Sequence, residues 1–269
     1  MYCRGTKMSI LLVFDVETTG LPPSRHSPTG DDVCKWPHIT QLSALLYDTE
    51  AELVLAHLNY YVRIPVDVHI PDRVVEITGI TDALCQEKGL PIRDVLLSFY
   101  EMYTRATHVV AHNYAFDSSM MQAELLRHGP LLPPYCRHMF SQTGVLPVPC
   151  CTMLLYQYYC GILHTKSLYR GGFIKYPKLA EIYDRVFQGN KVAADYGLHN
   201  SMVDTLLCFR FYLCLERRQH IDEAVFQYML DAMCRPMVRE QFSVSSRTRR
   251  KSPTNKGVLQ PWSSFLGVY

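Results

Sequence analysis

Apolar and polar positions change their period along this chain, and the changes mark its elements. Ile10, Leu11, Leu12, Val13 and Phe14 form an unbroken apolar run, closed by Asp15-Val16-Glu17-Thr18-Thr19-Gly20. A short apolar run bounded by a polar turn predicts a strand buried on both faces. Residues 39–47 and 53–64 predict two more strands, with Asp48-Thr49-Glu50-Ala51 suited to a hairpin between them. Joined in this way, the three strands make an antiparallel meander. Residues 21–32 are turn chemistry throughout and predict an exposed loop.

The period then becomes helical over residues 71–88, with a break at Ile77-Thr78-Gly79-Ile80-Thr81-Asp82, where Thr81 or Asp82 can cap the next helix. Pro91 opens a helix that puts Ile92, Val95, Leu96, Phe99, Met102, Tyr103 and Ala106 on one face. Residues 107–111 read as a short strand. Residues 116–127 read as a helix with Phe116, Met120, Ala123 and Leu126 inward, stopped by Gly129-Pro130. Residues 133–149 look irregular, and helices are expected over 152–159, after Pro177, over 201–218 and over 221–233. Residues 165–176 form a loop with Lys166, Arg170 and Lys175. Ser, Thr, Pro and basic residues dominate 243–261, a composition too poor in apolar groups to fold. Strands interleaved with helices put the chain in the α/β class. The expected division is an extension over 1–8, one α/β domain over 9–218, a helical extension over 219–242, and a disordered basic tail over 243–269.

Composition narrows the picture further. Of 269 residues, 48% are apolar and 19% charged, enough for a sizeable core. The formal net charge of +2 neither requires nor excludes a nucleic-acid partner, since a local basic surface suffices. The first apolar run ends at Asp15, too soon to span a membrane, so a soluble intracellular protein with no membrane partner is expected. Ten cysteines with no Cys-x-x-Cys suggest reduced thiols rather than a disulfide framework. Cys136, His138, Cys150, Cys151, Cys160 and His164 fall in one stretch, and Cys160-x3-His164 has the spacing of half a zinc site. The second well-spaced pair that such a site needs is missing.

Candidate chemistry begins at the end of the first strand. Residues two apart on a strand point to the same side, so Asp15 and Glu17 converge while Val16 turns into the core. Two close carboxylates raise each other's pKa and repel unless a cation lies between them. Asp117 begins a helix after the strand at 107–111 and can reach the same sheet edge, although a first-turn acid is also simply favoured by the helix dipole. In Leu198-His199-Asn200-Ser201-Met202-Val203-Asp204, Asn200 or Ser201 can cap a helix whose first turn carries Asp204, with His199 just before it.

Taken together, Asp15-x-Glu17-Thr18-Thr19-Gly20, His112-Asn113-x-x-Phe116-Asp117 and His199-x4-Asp204 resemble the motifs of the DnaQ-like 3′–5′ exonucleases, in the branch whose last motif carries histidine. The resemblance runs from about residue 11 to 218. Ile77-Thr78-Gly79-Ile80-Thr81, Cys151-Thr152-Met153 and Pro177-Lys178-Leu179 also look like family segments. It implies a ribonuclease H-like mixed sheet, the meander of three strands plus parallel strands flanked by helices, and an exonuclease domain over 9–218. It further implies removal of nucleotides from a nucleic-acid 3′ end, with DNA ranked ahead of RNA although no residue visibly reads or rejects a 2′-hydroxyl, and with a polymerase or replication protein as a conceivable partner. Carried over by position, Asp15, Glu17, Asp117 and Asp204 are the metal-binding acids for two Mg2+ or Mn2+ ions, and His199 is the general base. Oxygen ligands suit those hard cations. Thr18, Thr19 and Gly20 would offer backbone donors and room for the terminal nucleotide, with Asn113 a further substrate contact or, with Phe116, a buttress. Two positions depart from the pattern: Ser201, two after the histidine, and Thr205, after the last acid, where alanine is usual. The insertion from Pro22 to Pro37 is longer than in compact bacterial members; it either shapes the substrate mouth or is an exposed loop.

Two rivals use the same residues. A haloacid-dehalogenase-like phosphatase would attack phosphate with Asp15, but its second acid should be Asp, and a late acidic pair is not found. A catalytically silent nucleic-acid-binding or scaffold protein would not be expected to keep the full set of acids and His199. The basic run Arg247-Thr248-Arg249-Arg250-Lys251 is either a solvated tail or a non-specific phosphate contact. Truncation after Val244 separates the two. A phosphate-binding tail predicts weaker nucleic-acid binding and a flatter salt dependence with turnover kept at saturating substrate, whereas a solvated tail leaves the salt slope unchanged.

Overall fold

A computed structural model of the chain describes residues 9–24, 26–140, 147–164, 173–188 and 199–234. The extension over 1–8, most of the loop over 165–176 and the basic tail lie outside the described residues.

Six strands form one sheet: β1 (Ile10–Thr18), β2 (Ile39–Asp48), β3 (Leu53–Arg63), β4 (Leu90–Pro91), β5 (His108–Ala111) and β6 (Val148–Cys151), in the order β4-β3-β2-β1-β5-β6. β1, β2 and β3 are the antiparallel meander, and β4, β5 and β6 each add in parallel to a neighbour. Alternation along β1 divides the protein in two. Leu12, Phe14 and Val16 face one core, shared with α3 (Ile92–Tyr103) and α4 (Tyr114–His128). Leu11 and Val13 face the other, shared with α7 (Leu179–Phe187), α8 (Ser201–Tyr212) and α9 (Glu223–Met233). A small third cluster of Ile64, Ile70, Ile80 and Cys85 lies by α1 (Asp72–Thr78) and α2 (Asp82–Lys88). No helix among the described residues is long and apolar enough to cross a membrane.

Several boundaries differ from the sequence reading, each for a physical reason. β6 begins inside a stretch expected to be irregular, its first two residues, Val148 and Pro149, closing that stretch. Its Pro149 pairs opposite Val109 at the edge of the sheet, where a residue with no N–H to donate is tolerated. β4 is two residues long, too short to show a period. The helix expected over 152–159 is two short pieces, α5 (Thr152–Leu155) and α6 (Gln157–Cys160), interrupted at Tyr156. In α4 the inward residues include Met120, Met121, Ala123 and Leu125, whereas Leu126, expected to be inward, is 44% exposed. The helix expected over 201–218 is α-helical only to Tyr212 and ends in a π-helical turn, Leu213–Arg217. α8 is buried nearly all round, with β1 and β2 on one side and α7 and α9 on the other. Buried Arg210 ties these helices together. It donates to the Tyr183 hydroxyl (2.6 Å), to Glu223 (2.8 Å) and to the Ile221 carbonyl (3.1 Å), and its guanidinium lies 4.4 Å from the rings of Phe187 and Phe226.

The insertion is not free along its whole length. Its second half holds a 3-10 turn, Val33–Lys35, and a buried Trp36. Arg127 of α4 donates to the carbonyls of Val33 (3.0 Å), Pro37 (2.9 Å) and Trp36, and pairs with buried Glu124 at 2.8 Å. Glu124 also accepts from the Ile39 N–H (3.1 Å), with His38 and His128 within 3.6 Å and 3.5 Å. Burial alone would raise its pKa, but His128, His38 and Arg127 outweigh that and pull it down to about 2. This carboxylate therefore stabilises the fold fully above the ordinary carboxylate range, and the contribution is lost as pH falls toward 2. Arg127→Met is expected to cost about 2–4 kcal/mol in urea unfolding, because it strips a buried carboxylate of its closest cation. Unchanged stability would show that the two histidines suffice.

Candidate active site

The site forms where β1 outruns β5. Pairing between them ends at Val13 and Val110, so the far part of β1 has no strand on that side. Asp117, in the first turn of α4 and 1% exposed, fills the gap: its Oδ1 accepts the Val16 N–H at 3.1 Å. Asp15 and Glu17 continue the Leu11–Val13 side of β1, toward α8, and both are half-buried. Asp204 lies in the first turn of α8. Its Oδ2 accepts the backbone N–H of His199 at 3.3 Å. A carboxylate oxygen of Glu17, one of Asp204 and an imidazole nitrogen of His199 all lie within 4.8 Å of one another.

Electrostatics follow from this crowding. Burial pushes the Asp15 carboxyl well above the usual range, and Asp117, Asp204 and Glu17 push it further. Burial, then Asp204 and Asp117, raise Glu17 to about 9. Asp117 is raised by burial against the opposing pull of the Val16 N–H. Asp204 is raised by burial to about 7, although the His199 N–H works the other way. Asp117 Oδ2 and Asp204 Oδ1 are buried with no hydrogen-bond partner among the described residues. Orphaned acceptors in a cluster of mutually repelling acids fit hard divalent cations, which take oxygen ligands and remove the repulsion.

The start of α8 is built with care. Asn200 is its N-cap and accepts from the N–H groups of Met202 (3.1 Å) and Val203 (3.4 Å), which decides between the two expected caps. His199 sits at φ +70°, a left-handed conformation uncommon for a residue with a Cβ, and it is exposed. Below it, buried Ser201 meets Gln41 and Ser43 of β2. The sequence reading assigned neither residue a role, although polar side chains inside an otherwise apolar strand were the available signal. Thr205 is buried, and its hydroxyl has no partner among the described residues.

The expected substrate contacts divide. Thr19 does not offer a free backbone donor: its N–H goes to the His38 carbonyl (2.9 Å), and its hydroxyl accepts the His38 N–H (3.0 Å). The Thr18 hydroxyl donates to the Gly20 carbonyl at 2.6 Å. Gly20 borders open space, with nothing within 4 Å of where a Cβ would stand. Asn113 precedes α4 at φ +62°, a left-handed position that asparagine tolerates, and its side chain makes no cap. Phe116 packs at the margin of the core behind the site. Among the described residues the cysteines and histidines of 136–164 form no group with metal-ligand spacing; the grouping found is Glu17, His199 and Asp204.

The exonuclease family model RNase_T matches residues 12–212, a span that contains all four acids and His199. Solved structures of E. coli Exonuclease I share the fold. A complex with a dA16 oligonucleotide is 16% identical with a TM-score of 0.52, covering 82% of this chain and 43% of that one. The zinc-bound form of a complex with single-stranded DNA is 17% identical with a TM-score of 0.54, covering 84% and 43%. The chain thus spans less than half the length of these structures. No curated protein matches it.

Each raised carboxyl keeps its proton in the folded chain at pH values where the unfolded chain has released it. Cation-free stability should therefore fall as pH rises from the ordinary carboxylate range toward about 9, the value for Glu17. Magnesium or manganese should restore it by binding the ionised acids. Asp15→Asn should flatten that slope and raise the cation-free melting temperature, by roughly 2–4 °C for each kcal/mol of repulsion relieved. Calorimetric scans across pH check both, and a flat wild-type profile would contradict the crowding described here.

Proposed function

Because the chain belongs to the RNase_T exonuclease family, we propose that it hydrolyses phosphodiester bonds at the 3′ ends of DNA, releasing nucleotides one after another. The observation that carries this reading is the convergence of Asp15, Glu17, Asp117, Asp204 and His199 beyond the end of β5. The oligonucleotide complexes of E. coli Exonuclease I support DNA as the substrate class. Asp15, Glu17, Asp117 and Asp204 would hold two Mg2+ or Mn2+ ions, whose charge when bound steadies the attacking and leaving oxygens of an in-line displacement.

The protein's own groups supply the rest. The Val16 N–H holds Asp117 by one oxygen and leaves the other free, and the His199 N–H does the same for Asp204. An imidazole nitrogen of His199 takes the proton of the attacking water, a role that needs the neutral ring. Its exposure lets that proton pass on to solvent. Gly20, open on its outer side, gives room for the terminal nucleotide, and Thr18 and Thr19 hold the turn that places it.

The test is release of labelled mononucleotides from end-labelled single-stranded DNA, single-stranded RNA and duplexes with paired or mispaired 3′ ends, with magnesium or a chelator. Faster release from DNA that stops with the chelator is expected; equal or faster release from RNA would overturn the substrate class. Asp204→Ala should abolish turnover in a folded protein. His199→Ala should lower turnover roughly a hundredfold or more while metal affinity changes far less. If calorimetry instead shows that His199→Ala loses the metal, the imidazole is a ligand alongside Glu17 and Asp204.

A further inference from the structure

Beneath the candidate site lies a chain of buried polar side chains that the reaction itself does not use. Gln41, Ser43, Asn59 and Ser201 are all fully buried, between β2, β3 and the start of α8. Asn59 is the hub. Its Oδ1 accepts from Gln41 Nε2 (2.8 Å) and from the Ser43 hydroxyl (3.1 Å), and its Nδ2 donates to the Met233 carbonyl at the end of α9 (3.0 Å). Gln41 Oε1 accepts the backbone N–H of Ser201 at 3.3 Å. The Ser43 and Ser201 hydroxyls are 2.7 Å apart. Because Ser43 spends its one proton on Asn59, Ser201 is the donor between them, and the direction of the whole chain is set.

Register places this network under the catalytic carboxylates. Ser43 is the β2 partner of Asp15, and Gln41 is the partner of Glu17. Ser201 lies between His199 and Asp204, so whatever grips Ser201 sets where both of those groups project. An apolar contact would fill the same space but would let α8 slide or turn on the sheet. Directional bonds in a dry interior do not, because a small shift leaves a buried donor or acceptor unpaired. The serine that departs from the family pattern at 201 is therefore matched by a partner of its own, Ser43.

We infer that Gln41, Ser43 and Asn59 are positioning residues for the hydrolysis, holding the start of α8 so that His199 and Asp204 meet Asp15 and Glu17, and that α9 joins this support through the Met233 carbonyl. The inference rests on the roles proposed above for His199 and Asp204. It differs from a merely structural role in what it predicts for metal affinity and for coupling between variants.

The experiment uses the full chain, with Asn59→Ala, Ser43→Ala and His199→Ala made singly and each of the first two combined with His199→Ala. Steady-state kinetics on single-stranded DNA, Mn2+ titration calorimetry and thermal melts are read together. Asn59→Ala is expected to lower kcat roughly ten- to hundredfold with KM little changed, the usual effect of misplacing a reacting group. Mn2+ affinity should weaken, because Asp204 is displaced. In the His199→Ala background the further loss of kcat should shrink. Ser43→Ala, which removes one hydroxyl, should show the same pattern more weakly, and it decides the matter alone if Asn59→Ala does not fold. Folded variants that keep the parental Mn2+ affinity, with losses that multiply in full with that of His199→Ala, would overturn the inference. If His199→Ala itself keeps its turnover, the proposed base is wrong, and Mn2+ affinity in Asn59→Ala and Ser43→Ala still tests the positioning of Asp204.

Discussion

Repulsion among four carboxylates is the constraint on which the rest of this structure depends. Asp15 and Glu17 share one side of β1, and Asp117 and Asp204 are brought to them by two helices from opposite faces of the sheet. No arrangement of neutral side chains would need so much support. Left to themselves the acids would move apart or stay protonated, so the scaffold must hold the ionised set against a force that only protons or cations remove. A cation taken up by such acids would relieve that unfavourable energy, and folding, proton release and metal loading would then be coupled.

The scaffold resists that force on both faces. On the face of α4, the Val16 N–H pins Asp117, while Arg127 and Glu124 lock the far end of the same helix to the segment that leads into β2. On the face of α8, Asn200 closes the helix start and the Gln41–Ser43–Asn59 chain grips Ser201 from below. Farther along α8, Arg210 draws in α7 and α9 through hydrogen bonds and aromatic faces. Apolar side chains of the same shape could stabilise these places as well, since each polar group is desolvated, but the polar bonds make one arrangement much better than its neighbours. His199 at positive φ belongs with them, a strained residue held at the start of α8.

Much of this was legible in the chain. The first strand followed from its unbroken apolar run, because a strand covered on both faces has few polar positions to spare, and the meander from the hairpin chemistry of Asp48-Thr49-Glu50-Ala51. The convergence of Asp15 and Glu17 followed from the two-residue period of a strand, and Asp204 in a first turn from the capping chemistry ahead of it. Other features depended on neighbours that no local pattern names. β6 is a strand because β5 offers it an edge, in spite of its proline, and β4 exists only as a partner for the end of β3. Leu126 has the right spacing to face inward, yet the axial rotation of α4 is set by what packs on it, and Leu125 takes that place. Thr19 reads as a free donor until the turn brings His38 beside it.

The sequence by itself determined which acids and which histidine stand at the end of β1 and at the starts of α4 and α8, because strand alternation, capping and motif spacing are local properties of the chain. Only the tertiary structure decided how those starts meet. That Val16 has a bare N–H for Asp117 depends on where β5 stops, and that Ser201 rests on Ser43 depends on a contact across 158 positions of sequence. Such pairings are chosen by the packing of the whole core, where one buried donor finds one acceptor, and no periodicity in the chain records the choice.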